Sequence, residues 1–227
     1  MEQNIRKRVP EVLDLILTPF LTLLIMITLA LFVIGPVFHI AEEYILDATV
    51  FLLSLPFGLS GLIIGTINQV IVVTGVHHIF NMLEIQLLEQ FKNNPYNAII
   101  TCSIAAQGGA ALAVGLKTKA AKLKALSLSS SLSAFLGITE PAIFGVNLRY
   151  GKPFLMGLIG GGVGGFLASI LGLKATGMAI TVIPGTLLYL NGQIIPYIFI
   201  NLVAIGTAFL LTWLFGFSDK MLADNKQ

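Results

Sequence analysis

Cysteine is almost missing from this chain: Cys102 is the only one among 227 residues. A disulfide framework within the chain is therefore excluded, as is a metal site built on several thiolates. Charge is scarce as well. Asp, Glu, Lys and Arg make up 11% of the residues, against about 25% in soluble domains. With 56% hydrophobic residues and a mean hydropathy of +0.91, the composition is that of a membrane protein. A formal net charge of +2 gives no basis for nucleic-acid binding. Histidine is rare too, and two of the three, His77 and His78, are adjacent. Neighbouring histidines cannot easily ligate one ion, and no His-x-x-x-His spacing occurs, so neither a metal nor a cofactor is expected. Glycine, at 23 residues, is plentiful, as it is in membrane helices.

The chain reads as an all-α, polytopic membrane bundle with broken helices and re-entrant hairpins. Residues 1–14 form a polar lead-in, and Arg6, Lys7 and Arg8 mark that end as cytoplasmic. Residues 15–41 are an apolar span, too long for a cleavable signal and lacking a small-residue cleavage site. Pro19 lies in its first turns, and Pro36 is expected to kink or end it. His39, Glu42, Glu43 and Asp47 then mark an aqueous boundary. Residues 48–83 are interrupted by Pro56 and several glycines and carry Asn68, Gln69, His77 and His78. They suit a re-entrant hairpin or broken helix at least as well as a straight one. Adjacent histidines point to different faces of a helix, so at most one is expected to face a shared cavity. Residues 83–96 read as a polar connection with Glu84, Glu89 and Lys92, ending in the turn signal Asn93-Asn94-Pro95.

Residues 97–116 are a span rich in small residues, expected to be enclosed by neighbours, with Cys102 as a packing residue. Lys117, Lys119, Lys122 and Lys124 form a basic cytoplasmic loop. Residues 125–148 approach through serines and read as a second hairpin around Pro141. Residues 154–173 span again; their glycine runs lack the following Lys-Ser/Thr of a phosphate loop and point to close helix packing. Residues 178–192 are another interrupted piece, 194–217 the last span with Trp213 as an interfacial anchor, and 218–227 a polar tail expected to be disordered. The sum is about four clear spans and two or three interrupted segments within a membrane domain over 15–217.

One stretch stands apart. Residues 137–149, Gly-Ile-Thr-Glu-Pro-Ala-Ile-Phe-Gly-Val-Asn-Leu-Arg, place Glu140 inside an apolar region with Pro141 directly after it. A carboxylate at membrane depth is costly and is kept facing a polar cavity or a partner. The proline disfavours helical geometry at the residue before it, so the helix is expected to break at Glu140. Acid and helix break together are what a transporter's solute site requires. The two interrupted segments that carry ionisable groups, 48–83 and 125–148, are expected to line one cavity.

That stretch, with Val-Thr-Gly-Val-His-His at 73–78 and Leu-Thr-Pro-Phe-Leu-Thr at 17–22, resembles the membrane component, enzyme IIC, of the bacterial phosphoenolpyruvate-dependent sugar phosphotransferase system. The likeness is to its glucose superfamily and the sucrose, trehalose and β-glucoside branch. It implies a multi-pass protein of the bacterial inner membrane that binds a sugar, sucrose first and trehalose, β-glucosides or N-acetylmuramic acid next. It implies sugar contacts from Glu140 and from His77 or His78, one of which helps activate the attacking hydroxyl. Thr139, Asn147 and Arg149 are weaker candidates for shaping the site. Phosphate would come from the phosphocysteine of a IIB domain, and Cys102, inside an apolar span, does not fit that role. The likeness covers only the C-terminal, sugar-binding half of such a domain, so an N-terminal half, a IIB partner and the homodimer of a full-length protein are implied besides the lipid bilayer. The chain alone is then not expected to phosphorylate a sugar. A truncated remnant and an ion-coupled secondary sugar transporter are the competing readings.

Overall fold

Proline and glycine decide where these helices bend and how closely they pack. In the computed structural model, residues 2–7, 9–10 and 13–224 are described. Arg8 of the first basic cluster and residues 225–227 of the tail lie outside the described residues, as do the side chains of His39 and Glu42. The chain divides into two units, Met1–Thr49 and Val50–Gln227.

In the first unit, α1 (Glu2–Arg6) is tied by Arg6, which pairs with Glu2 at 3.2 Å and with Asp14 at 3.3 Å. The next helix, α2 (Asp14–Leu29), starts on Asp14, whose carboxylate accepts the Thr18 hydroxyl at 2.7 Å. It runs through a π turn, Ala30–Ile34, straight into α3 (Gly35–Leu53), which continues past the unit boundary. Pro36 therefore does not end the helix. A wide turn just before a proline relieves the clash of its ring with the carbonyl four residues back.

In the second unit, the end of α3 is followed by a turn in which Phe57 (φ 59°) and Gly58 (φ 75°) are both left-handed. From it α4 (Leu59–Thr74) leads through the 3₁₀ turn Val76–His78 into α5 (Ile79–Phe91), the two arms bent by 120°. The stretch expected to be a polar connection is thus mostly helix. Leu83 and Leu87, four residues apart, bury one face, and Glu84 is buried beside them. The Asn94 side chain caps α6 (Pro95–Lys117) by accepting the Asn97 N–H at 3.0 Å, with Pro95 in the first turn where its missing donor costs nothing.

This helix is the axis of the unit: 78% of its apolar window is buried, against 50% for α10 and 28% for α12. Its run of Ala, Gly and Ser lets α4, α7, α10 and α12 all pack on it. Next come α7 (Ala121–Phe135), α8 (Glu140–Ala142), a π turn Ile143–Asn147 and α9 (Leu148–Tyr150). After α10 (Lys152–Ile170) a loop leads to α11 (Val182–Gly185) and the 3₁₀ turn Thr186–Tyr189. Finally α12 (Ile194–Leu211) ends in a π turn, Thr212–Gly216. Among the described residues four helices are long and apolar enough to cross a membrane, and the bent α4–α5 pair is a fifth candidate.

The described start of the tail differs from expectation. Asp219 accepts the Thr118 hydroxyl at 2.8 Å and the Lys119 N–H at 3.0 Å, and Met221 and Leu222 of α13 (Met221–Asp224) pack on the Tyr150–Phe217 cluster. A carboxylate for the exposed backbone and two apolar side chains for the core are enough to hold it. Lys117 donates to the Trp213 carbonyl and lies 5.9 Å from the centre of its ring.

Candidate functional site

His77 and His78 owe their position to Gly75, whose left-handed φ of 80° closes α4 and starts the 120° bend. Because they occupy a bend between helices and not one helix, the rule of opposite faces does not apply. Both line the same cavity, with ring centroids 4.2 Å apart. His77 is half-buried and His78 exposed.

Glu140 is placed by a second glycine. The α7 helix ends at Gly137 (φ 99°), where the Ile138 N–H reaches back to the Ser133 carbonyl at 3.0 Å. The break therefore covers 136–139, before the acid and not at it. Glu140 is the first residue of α8, and Pro141 falls in the first helical turn, where proline is tolerated. The expectation of a break at Glu140 is corrected by three or four residues: the glycine, not the proline, ends the preceding helix.

These segments meet at a cavity of about 310 Å³ in which His77, His78, Thr139 and Glu140 share the wall with Asn68, Asn81, Glu84, Tyr96 and Thr181. The size is at the lower end of small-molecule sites. The wall is mixed: Val72, Ile100 and Ile104 add apolar surface, and Phe80 stacks on Tyr96 with centroids 5.3 Å apart. Carboxylates, imidazoles and amides offer both acceptors and donors, which is what a neutral polyol needs. Among the described residues no three of His, Cys, Asp and Glu come together as a metal site.

Asn147 lies elsewhere. Fully buried in the π turn, its amide donates to the Gln107 carbonyl at 3.0 Å and to Gln107 Oε1 at 2.7 Å, and it is not part of the cavity wall. Arg149 sits 6.0 Å from the centre of the Tyr150 ring. Cys102 is fully buried in α6 against Gly164.

Sequence reasoning passed over Glu84, Asn81, Tyr96 and Thr181 as wall residues. For two of them a signal was present: Asn81 and Glu84 lie three residues apart, on one face of a helix, shortly after the histidines. Glu84 is only 2% exposed, yet it accepts the Asn94 amide at 2.5 Å and the Asn97 amide at 3.3 Å.

Comparison with known proteins adds a family. The family model for "Phosphotransferase system, EIIC" matches residues 1–162. The sucrose-specific EIIBC component of Salmonella typhimurium is 42% identical over 214 residues, 93% of this chain and 47% of its own length. That of Klebsiella pneumoniae is also 42% identical, over 200 residues, 87% of this chain and 44% of its own length. The trehalose-specific EIIBC component of Bacillus subtilis is 35% identical over 186 residues, 82% of this chain and 40% of its own length. The chain thus spans about half the length of the curated relatives it matches. No solved structure matches it.

Proposed function

The chain belongs to the EIIC family of the phosphotransferase system, and on that premise we propose that its cavity is the sugar site of a permease that takes up sucrose and delivers it as a sugar phosphate. The observation that carries this reading is the convergence of His77 and His78 with Thr139 and Glu140, about sixty residues apart in sequence, on one cavity of about 310 Å³. Sucrose comes first because the relatives at 42% identity are named for it. Trehalose is the second candidate, supported by the relative at 35%.

In this reading Glu140 accepts hydrogen bonds from sugar hydroxyls, which fix the sugar's orientation. One imidazole lies within reach of the hydroxyl that attacks phosphorus. That oxygen forms the new O–P bond, the S–P bond of a IIB phosphocysteine breaks, and the hydroxyl proton passes to the imidazole. Positioning supplies most of the rate in phosphoryl transfer, and a well-placed base adds typically about 10²–10⁴-fold. Phosphate donation by IIB, the remainder of the relatives' length and a homodimer complete the assembly.

The test is sugar uptake in cells without a sucrose permease of their own. They receive this chain together with the portion of the Salmonella typhimurium component that it does not match. Sucrose phosphate inside the cells, dependent on phosphoenolpyruvate and absent with Glu140→Gln at equal protein level, is the expected result. Undiminished uptake by Glu140→Gln would refute the site. Free sucrose as the product, insensitive to phosphoenolpyruvate, would point to ion-coupled transport through the same residues.

A further inference from the structure

Glu84 is not among the groups that the proposed chemistry uses, although it borders the same cavity. Its carboxylate is bonded to Asn94, the capping residue of α6, and to Asn97 in the first turn of that helix. It therefore sits at the positive end of a 23-residue helix, where an anion is favoured.

The two asparagines also face outward from that carboxylate. Asn94 donates to the Gly177 carbonyl at 3.2 Å and Asn97 to the Ile180 carbonyl at 3.3 Å. Asn94 further exchanges backbone hydrogen bonds with Ala175 at 2.9 and 3.0 Å. The segment they hold does not keep its shape unaided. Ala179 (φ 67°) and Val182 (φ 51°) are left-handed without being glycine, a disfavoured conformation that persists only where surrounding contacts enforce it.

That segment touches the other wall of the cavity. Thr181 lines the cavity and packs on the Gly137 turn, where an added Cβ would lie 3.1 Å from the Thr181 hydroxyl. Two and three residues further on are Thr139 and Glu140. An unbroken line of contacts thus runs from Glu84 through Asn94 and Asn97 to 177–181, and from Thr181 to the turn that presents Glu140.

We propose that Glu84 is a positioning residue: its carboxylate orders Asn94 and Asn97, these hold 177–181 against the Gly137 turn, and the turn sets Thr139 and Glu140 toward the ligand. The proposal rests on the reading of the cavity as a sugar site, but the placement of the segment can be measured without sugar.

The experiment uses the full chain in membrane vesicles, with Thr181→Cys as reporter and the native, buried Cys102 as internal reference. Labelling by N-ethylmaleimide is followed at each cysteine by peptide mass. Glu84→Ala is expected to raise the rate at position 181 at least about fivefold while Cys102 stays protected, as local opening requires. Glu84→Gln, which keeps its size and one acceptor oxygen, raises it less and guards against a variant that does not fold. In the sucrose uptake assay Glu84→Gln is expected to raise KM about tenfold and leave kcat within about twofold. An unchanged rate at 181 overturns the proposal, whatever happens to KM. So does a parallel rise at 181 and Cys102, the mark of general loosening. If no sugar is taken up at all, the sugar reading fails while the labelling still decides whether Glu84 holds the segment.

Discussion

At the scale of single residues, the two histidines are alike in sequence and unlike in place. His77 is half-buried and within electrostatic reach of both Glu140 and His78, whereas His78 is exposed. A base that takes a proton in the transition state needs a fixed ring, and burial fixes it. We therefore expect His77→Gln to slow formation of sugar phosphate at saturating sugar by about 100-fold or more, and His78→Gln by less than about tenfold. The reverse order would transfer the role to His78. The sequence offered the pair but not the choice, because the choice depends on the bend at Gly75, and helical periodicity does not describe a bend. Glu140 was conspicuous for a simple reason: it is a lone acid in an apolar stretch. Glu84 was hidden among Glu89, Lys92 and two asparagines, where an acid looks like ordinary solvated polarity. It is buried against Asn94 and Asn97, which bond to its carboxylate and themselves hold the loop at 177–180, an arrangement no local pattern reports.

At the scale of elements, the close approach of α4 to α10 is set by glycines on both sides. A Cβ on Gly65 would lie 2.4 Å from the Gly161 carbonyl oxygen, and one on Gly161 would lie 2.6 Å from that of Gly65. Backbone cannot turn aside as a side chain can, so the helices must separate. Gly161→Val is expected to destabilise the fold by about 3 kcal/mol, the upper part of the range for overpacking. Gly206→Ala meets nothing within 4 Å and is expected to be neutral or stabilising by up to about 1 kcal/mol through helix propensity. Thermal unfolding of the detergent-purified chain separates the two; equal midpoints would refute the packing argument. The glycine run was legible as a packing surface from the sequence, since no Lys-Ser/Thr follows it. The ends of α7 and α8 were less legible. Pro141 drew the predicted break onto Glu140, but proline tolerates a first helical turn, and the left-handed Gly137 is the real stop. Pro36 likewise proved compatible with an unbroken helix through a π turn.

At the scale of the whole molecule, the second unit combines a packed frame with a site made of its interruptions. The frame is α6 with α4, α7, α10 and α12 around it. The cavity draws instead on the bend between α4 and α5, the turn after α7 and the segment before α11. Helices were readable because length and apolarity announce them. The convergence of three irregular segments was readable only through their ionisable groups, and the segment at 177–181 carries none. Such segments bury little apolar surface of their own, so a ligand that bridges them adds stability that the frame does not already have. A ligand bound only by the folded state contributes RT ln(1 + [L]/Kd), about 2.7 kcal/mol at a hundredfold excess over Kd. Sucrose is therefore expected to raise the unfolding midpoint of the chain in a saturable way, and the rise should vanish with Glu140→Gln. A rise that persists in that variant would mean that the sugar is held without the acid. A rise with trehalose and none with sucrose would keep the site and exchange its ligand, because carboxylates, imidazoles and amides can bond the hydroxyls of either disaccharide.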